Sequence, residues 1–150
     1  MTTPDATMMQ HAIALAKQAE AINEVPIGAV VFQGDEIVGE GFNRKEVDND
    51  PTAHAEMIAI ADAAKRLGRW RLQDCTLVVT LEPCPMCAGA LVNARMERVV
   101  YGASDPKAGA CRTLYEISDD PRLNHRCKIT SGVLADECAD LLSQFFKAKR

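Results

Sequence analysis

The spacing of apolar positions changes several times along the chain, and each change predicts a new element. From about Asp5 to Ile22, apolar residues recur three and four positions apart, which is typical of one face of an amphipathic helix. Ile27 to Phe32 is a continuous apolar run that reaches Gly34-Asp35, a two-residue turn signal, and Ile37-Val38 then begins a return strand. The amino-terminal part is therefore predicted to be a helix followed by a β-hairpin.

The remaining chain alternates between helical and strand patterns. Helices are expected from Ala53 to Leu67 with Thr52 as the N-cap, from Pro83, and from about Ala135. Strand patterns cover Leu77–Leu81, Arg98–Gly102 and Cys127–Thr130. The order α-β-β-α-β-α-β-(α)-β-α predicts an α/β fold with three layers, α/β/α, around a central five-stranded mixed sheet. No repeat, linker or low-complexity run divides residues 1–150, so one domain is expected.

Composition indicates the expected cellular location of this domain and limits its possible partners. The six cysteines are not accompanied by a secretory signal pattern at the amino terminus, so reduced thiols and a cytoplasmic location are expected. No apolar run approaches the roughly 18 residues that a membrane span requires. The net charge of −4 does not favour nucleic acid as a partner, and an RNA-binding function would require a local basic patch.

Two short motifs carry candidate chemistry. His54-Ala-Glu56 is followed, after the predicted central strand, by Pro83-Cys84-Pro-Met-Cys87. One imidazole and two thiolates would give zinc three protein ligands and leave the fourth tetrahedral position for water, which is the arrangement of a catalytic zinc site. Glu56 would be the proton carrier. The combination is the known signature of zinc-dependent nucleobase deaminases.

Two alternatives explain parts of this pattern. A Cys-x-x-Cys pair in an α/β protein can be a redox pair, but Pro83, Cys84, Cys87, His54 and Glu56 occur here together and in the order of the zinc signature. A closed structural zinc site would need a fourth ligand, and the other cysteines show no second ligand-like spacing: Cys75, Cys111, Cys127 and Cys138.

The predicted helix creates a geometric difficulty for Glu56. If His54 and Glu56 both belong to the first helical turn, they point to nearly opposite sides, so we expect the helix to meet the metal site end-on. Cys84 and Cys87 would lie at the N-terminus of the next helix, where the positive end of the helix dipole favours thiolates.

Beyond these motifs, the chain resembles the bacterial tRNA adenosine deaminases of the cytidine-deaminase-like superfamily over nearly its whole length. The segments that carry the resemblance are Glu24-Val-Pro-Ile-Gly-Ala-Val30, Gly39-Glu-Gly-Phe-Asn43, Asp50-Pro-Thr-Ala-His-Ala-Glu56, Thr80-Leu-Glu-Pro-Cys84, Met86-Cys-Ala-Gly-Ala90, Asn124-His-Arg126, and Gly132-Val-Leu-Ala-Asp-Glu-Cys138 with Phe145-Phe146 after it. The metal motif alone would fit any member of the superfamily. The flanking segments, and the Phe145-Phe146 pair followed by basic residues, restrict the resemblance to the tRNA enzymes.

The resemblance implies hydrolytic conversion of adenosine to inosine at wobble position 34 of a tRNA, with tRNA-Arg the expected species, by a homodimer that binds one Zn²⁺ per subunit. His54, Cys84 and Cys87 would hold zinc, and Glu56 would move protons from water to the purine and to the leaving ammonia. The residues expected to contact the anticodon stem-loop are Asn43, Ala55, Asp105, Asn124, His125, Phe145, Phe146, Lys147, Lys149 and Arg150.

Several assignments stay open at this point. His125 could equally bind RNA or a loop carbonyl, Trp70 could stack a base or pack against the protein, and Cys111 receives no role. Two other functions use part of the same pattern. One is a deaminase of guanine or another free base or nucleoside, and the other is a non-catalytic RNA-binding module, against which an intact Glu56 argues.

Overall fold

The computed structural model describes residues 3–149, and its elements follow the predicted order. The helices are α1 (Pro4–Ala21), α2 (Ala55–Leu67), α3 (Pro85–Asn93) and α4 (Ala135–Ala148). The strands are β1 (Gly28–Gln33), β2 (Glu36–Phe42), β3 (Thr76–Leu81), β4 (Arg98–Ala103) and β5 (Lys128–Thr130). A short 3-10 helix, Ile117–Asp119, occupies the long connection between β4 and β5.

The five strands form one mixed sheet in the order β2-β1-β3-β4-β5. β1 pairs antiparallel with both β2 and β3, whereas β3, β4 and β5 run parallel. The parallel strands therefore end at the same edge of the sheet, where open α/β sheets usually bind ligands.

Two apolar cores cover the two faces of the sheet. Alternate residues of the strands separate them: Val31, Leu77 and Val79 contact the core of α2 and α3, while Val30 and Val78 contact the core of α1 and α4. This arrangement confirms the predicted three-layer α/β/α fold.

Helix α2 packs unusually close to β2. Its fully buried face consists of Ala55, Ala59 and Ala63, and the strand meets it with Gly39 and Gly41. A Cβ atom on Gly41 would lie 2.5 Å from the Ala55 carbonyl oxygen, and one on Gly39 would overlap the backbone of α2 in the same way. Since neither position has room for a side chain, these contacts fix the height of α2 above the sheet.

Both helices that enter the site begin later than the sequence predicts. The N-cap of α2 is His54, in extended conformation, rather than Thr52, whose hydroxyl donates to Asp50 instead. Helix α3 begins at Pro85, and its N-cap Cys84 is extended with ψ of 174°. A residue before proline is driven out of the helical region by the proline ring, which explains why the helix does not begin at Pro83.

The carboxyl-terminal helix buries Cys138 and Phe145, while Leu141 and Leu142 are half-buried. At the other end of the chain, Asp5 at the start of α1 forms an ion pair of 2.6 Å with Arg98 of β4. Among residues 3–149, no helix combines the length and apolarity needed to cross a membrane.

Candidate metal centre and active site

Three potential zinc ligands meet at the edge of the sheet where β3 ends. His54 is the N-cap of α2, Cys84 is the N-cap of α3, and Cys87 lies in the first turn of α3. Their ligand atoms all lie within 4.8 Å of one another. The structure thus brings together the three residues that the sequence motifs predict as metal ligands.

The distances between these atoms fit a tetrahedral zinc ion. The Nδ1 atom of His54 lies 3.6 Å from the Cys84 Sγ atom and 3.5 Å from the Cys87 Sγ atom. Zinc bonds of roughly 2.3 Å to sulfur and 2.0–2.1 Å to nitrogen, at a tetrahedral angle, place the two atoms about 3.6 Å apart. A pair of thiols and one imidazole are also the donor types that zinc prefers, so the site fits a zinc ion bound through Nδ1 of His54.

Glu56 reaches the same site because His54 lies outside the helix. With φ and ψ of −77° and 152°, His54 is extended, and Glu56 is the second residue of the helix itself. The spacing rule for two residues in one helical turn therefore does not apply to this pair. The Glu56 side chain is buried beside the Cys87 thiol.

Burial and neighbouring groups change the proton affinities of the site. Burial raises the pKa of Glu56 to about 7, so this carboxyl group can gain and lose a proton near neutral pH. The hydrogen bond from Cys87 lowers the pKa of Cys84 to about 4, and the same contact raises the pKa of Cys87. The hydrogen bond with Cys84 raises the pKa of His54. A thiolate is therefore available on Cys84 at neutral pH.

A cavity of about 270 Å³ opens over the metal ligands. Asn43, Ala55 and Asp105, which the sequence predicts as substrate contacts, line it together with His54, Cys84 and Glu56. Its other lining residues are Glu24, Val25, Ile27, Lys45, Glu46, Leu81, Glu82 and Ala108.

The loop after β2 forms one wall of this cavity, and buried polar groups hold it. The Glu24 carboxylate is 1% exposed and accepts hydrogen bonds from the backbone N–H groups of Glu46 (3.1 Å) and Val47 (2.7 Å). Asn43 is also buried; its Nδ2 donates to the Val25 carbonyl and its Oδ1 accepts from the Lys45 N–H. The position of Asn43 over the cavity is thereby fixed before any substrate binds.

The loop after β4 forms the opposite wall, and the carboxylate that holds it is Glu82. Burial acts to raise the pKa of Glu82, but hydrogen bonds from the Thr113 hydroxyl and from backbone N–H groups outweigh burial and lower the pKa below its ordinary value. Glu82 therefore stays ionised at neutral pH.

Comparison with known proteins agrees with this site. Residues 2–103 match the family model of the cytidine and deoxycytidylate deaminase zinc-binding region. A tRNA-specific adenosine deaminase of Haemophilus influenzae is 50% identical over 147 residues, which cover 97% of this chain and 85% of that protein. The Bacillus subtilis protein of the same description is 50% identical over 148 residues, covering 99% of this chain and 92% of its own length. The chain belongs to the tRNA-specific adenosine deaminase family.

Structural comparison supports the same family. A solved chain from a study of A-to-I editing by tRNA:A34 deaminases at the wobble position of transfer RNA superposes with a TM-score of 0.87 at 40% identity. The match covers 91% of this chain and 99% of that chain. The resemblance that the sequence motifs carry is thereby confirmed, together with the cytidine-deaminase-like fold.

The residues at the carboxyl-terminal end of α4 lie beside the cavity. Phe146 is 50% exposed and lies between two surface grooves. One groove shares Val25, Leu81 and Asp105 with the cavity and also contains Lys147; the other shares Val25 and Glu46 and contains Lys149. Both grooves therefore adjoin the cavity.

Phe145 and Lys149, also predicted to contact RNA, are engaged by contacts within the protein. Phe145 is 9% exposed and packs inward, with its ring edge-to-face on Phe146 at 5.4 Å, so its face is not open to an RNA base. Lys149 hydrogen-bonds Asn23, and its ammonium lies 5.3 Å from the Phe145 ring centroid. Arg150 lies outside the described residues.

Asn124 and His125 lie far from this cavity within the chain. Both precede β5, at the end of the parallel sheet opposite the metal site. Nε2 of His125 is 2.7 Å from the Met96 carbonyl oxygen, the loop contact that was one of its two sequence interpretations. The exposed Trp70 is also near that end, with the Arg71 guanidinium over its ring at 4.9 Å. An RNA contact by Asn124 or His125 stays a prediction.

The structure adds two residues that the sequence reasoning did not single out, Glu24 and Glu82. Glu24 lies next to the apolar Val25, and Glu82 follows Leu81 at the end of β3. An acidic residue beside a buried apolar segment is the sequence signal that could have identified them. Their partners are backbone N–H groups more than twenty positions away, with separations of 22 to 31 residues, which no local spacing reveals.

Proposed function

We propose that the protein is a zinc-dependent hydrolase that converts adenosine to inosine at the wobble position of a tRNA anticodon loop. The observation that carries the proposal is the convergence of His54, Cys84 and Cys87 with the buried carboxyl group of Glu56 under one cavity. The relationship to tRNA-specific adenosine deaminases supports a tRNA adenosine as the substrate. In this proposal the enzyme acts in the cytoplasm as a homodimer with one zinc per subunit.

The division of chemical roles follows from the site. When bound, zinc supplies an activated water, because coordination can lower the pKa of water to about 7. Glu56 would accept one proton of the water and donate it to the purine ring nitrogen N1; it would then accept the remaining hydroxyl proton and deliver it to the exocyclic amine. Carbon 6 gains oxygen and loses ammonia, so the products are inosine and ammonia. Burial raises the pKa of Glu56 to about 7, which suits it to both directions of transfer.

Recognition of the base would rest on Asn43 and on the backbone around Ala55. The Asn43 side chain uses one N–H for the Val25 carbonyl and one oxygen lone pair for the Lys45 N–H. One N–H and one lone pair remain, and a purine edge offers both an acceptor and a donor. Because two contacts within the protein already orient this amide, little conformational entropy is lost when a base binds.

The grooves beside Phe146 would receive the nucleotides next to the reacting base. Single-stranded loop bases are recognised by stacking on exposed aromatic rings and by cations near their phosphates. Phe146 is exposed, and Lys147 and Lys149 line the two grooves on either side of it. These side chains provide a local basic edge on a chain whose net charge is −4.

Homodimer formation is supported by apolar side chains exposed near the 3-10 helix. Leu114 and Tyr115 are 50% and 54% exposed, and Leu123 is 43% exposed. Sedimentation equilibrium should give twice the mass of one chain, and Tyr115→Ser with Leu114→Ser should shift the protein toward the monomer. A wild-type protein that stays monomeric at micromolar concentration would exclude the dimer.

One assay tests the proposed substrate. Zinc-loaded protein is incubated separately with an anticodon stem-loop carrying wobble adenosine, with the same adenosine in a duplex, with free guanine, and with cytidine. Ammonia release and nucleoside chromatography are the readouts. Inosine should form rapidly only in the stem-loop, because a loop base is already unstacked, whereas extraction from a duplex costs about a few kcal/mol more.

The alternative substrate class gives a different result in the same assay. Rapid turnover of guanine or cytidine together with an inert stem-loop would assign the zinc chemistry to a small-molecule deaminase. No turnover of any substrate by fully zinc-loaded protein, combined with tight stem-loop binding, would indicate an RNA-binding module.

A further inference from the structure

Glu82 is the most heavily hydrogen-bonded side chain beside the cavity. It is 2% exposed. Its Oε2 atom accepts from the backbone N–H groups of Cys111 (3.1 Å), Arg112 (2.8 Å) and Thr113 (3.0 Å). Its Oε1 atom accepts from the Asp105 N–H at 3.1 Å and from the Thr113 hydroxyl. Five donors from one loop thus converge on a single carboxylate.

The loop that supplies these donors is irregular, and hydrogen bonds within the loop, such as those from the N–H groups of Gly109 and Leu114, act together with Glu82 to hold it. Residues 104 to 116 belong to no helix or strand. Asp105 and Ala108, at its start, line the cavity over the metal ligands. Gly109 lies directly against the carboxylate, where a Cβ atom would come within 2.5 Å of the Glu82 Cδ atom. The loop therefore packs closely against the Glu82 carboxylate, and its first residues form part of the cavity wall.

Glu82 is also connected to the metal site through the chain. It follows Leu81, the last residue of β3, and precedes Pro83 and the ligand Cys84. The Glu82 N–H donates to Ala103, and the Ala110 N–H donates to the Pro83 carbonyl at 2.8 Å. One short segment thus holds a zinc ligand and, through a side chain, the opposite wall of the cavity.

We infer that Glu82 is a positioning residue for the base: its carboxylate sets the distance between the wall at Asp105 and Ala108 and the reacting centre at Glu56. The inference rests on the proposed function for the identity of the base, whereas the loop geometry is independent of it. Glu82 acts through the loop and does not take part in proton transfer.

The decisive variant is Glu82→Gln. Glutamine has the same size, but it has one acceptor oxygen, and its NH₂ group would face N–H donors. Whichever way the amide is oriented, at least two of the five donors lose their acceptor. If the NH₂ group takes the place of Oε1, the Asp105 N–H loses its acceptor; if it takes the place of Oε2, the N–H groups of residues 111–113 lose theirs. Hydrogen exchange of the zinc-loaded protein should therefore be faster at Asp105 or at residues 111–113, while β3 and α1 remain protected and zinc content is unchanged.

Kinetics on the stem-loop then measure the effect on the base. A displaced wall weakens binding of the base, so KM should rise about tenfold, whereas a merely unfolded fraction would lower kcat and leave KM unchanged. Val78→Ala, in the same strand but in the core under α1, is the stability-matched control and should keep the wild-type KM. If Glu82→Gln fails to fold, Gly109→Ala perturbs the same contact with the carboxylate intact and should raise KM in the same way.

The outcomes separate the two proposals. An inactive wild-type protein refutes the proposed function, and the hydrogen-exchange result still decides whether Glu82 holds the loop. Unchanged protection both at Asp105 and at residues 111–113 in Glu82→Gln, or a wild-type KM in both Glu82→Gln and Gly109→Ala, overturns the positioning role.

Discussion

Glu56 and His54 face the same cavity although only Ala55 separates them in the chain. The reason is that the helix boundary passes between them: His54 is the extended N-cap, and Glu56 belongs to the first helical turn. Three consecutive residues can thus provide both a metal ligand at the helix end and a buried carboxyl group beside it.

Loss of either thiol ligand should remove both metal and stability. Cys84→Ala or Cys87→Ala leaves zinc with two protein ligands, and the free energy of metal binding is part of the free energy of folding. Metal analysis should find much less than one zinc per chain, and thermal unfolding should begin at a lower temperature. Cys75→Ala, at a buried cysteine outside the site, should keep its zinc. Full zinc occupancy in either ligand variant would disprove the assignment.

Replacement of Glu56 should separate chemistry from metal binding. Glu56→Ala removes the proton carrier but none of the three ligands, so zinc content should be retained. Turnover should fall by about 10²–10⁴-fold or more, because one group serves several proton transfers. Glu36→Gln, at an exposed position of β2, is the control and should be as active as wild type. Near-normal turnover by Glu56→Ala is incompatible with the proposed mechanism.

The basic carboxyl terminus should dominate the salt dependence of RNA binding. Changing Lys147, Lys149 and Arg150 to alanine removes cations that would displace counterions from phosphates. The plot of log binding constant against log salt concentration should become shallower by about one unit for each phosphate that the variant no longer neutralises. Changing Lys17, Lys65 and Arg66 to alanine, which also removes three exposed positive charges, is the control for net charge alone. A slope equal to that of wild type would place the RNA on another surface.

The ion pair between Asp5 and Arg98 should make stability depend on acid pH. The hydrogen bond from Arg98 lowers the pKa of Asp5 below its ordinary value. A lowered pKa means that the pair stabilises the fold above the ordinary carboxyl pKa of about 3.9 and loses this contribution as pH falls through the lower, folded-state value. Asp5→Asn should therefore cost on the order of 1 kcal/mol at pH 7 and almost nothing near pH 2.

Denaturant titrations at the two pH values measure this difference in the free energy of unfolding. Asp35→Asn, in the turn between β1 and β2, is the matched control for loss of a carboxylate. An Asp5→Asn cost that is the same at both pH values would show that the carboxylate charge contributes nothing.

Local sequence signals were sufficient for the metal ligands and for the order of elements. His54, Cys84 and Cys87 stand at or near helix starts, and β1, β3 and β4 are marked by apolar runs, so the zinc motif and the order of elements together predict where the ligands meet. Helix boundaries were less accurate, since the extended conformation of Cys84 depends on Pro85 and moves the helix start by two residues.

Long-range hydrogen bonds were beyond the reach of the sequence. Glu24 and Glu82 bind backbone N–H groups that carry no side-chain signature, so nothing in the spacing of residues connects them to their loops. The location of His125 illustrates the same limit. A histidine before a strand is recognisable in the sequence, but the end of the sheet to which it belongs depends on whether that strand is parallel.

The Glu24 and Glu82 carboxylates hold the cavity walls by accepting hydrogen bonds from backbone N–H groups. This determines at which wall positions the side chain can be substituted. Every residue except proline supplies an N–H, so Glu46, Val47 and Arg112 keep their contact with Glu24 or Glu82 whatever side chain they carry. The exposed side chains of Glu46 and Val47 can therefore be randomised in the laboratory while the wall stays in place, whereas the Arg112 side chain also pairs with Glu116 and Asp119. Side chains at the rim of the cavity can thus be selected for contact with new nucleotide neighbours without loss of the catalytic geometry.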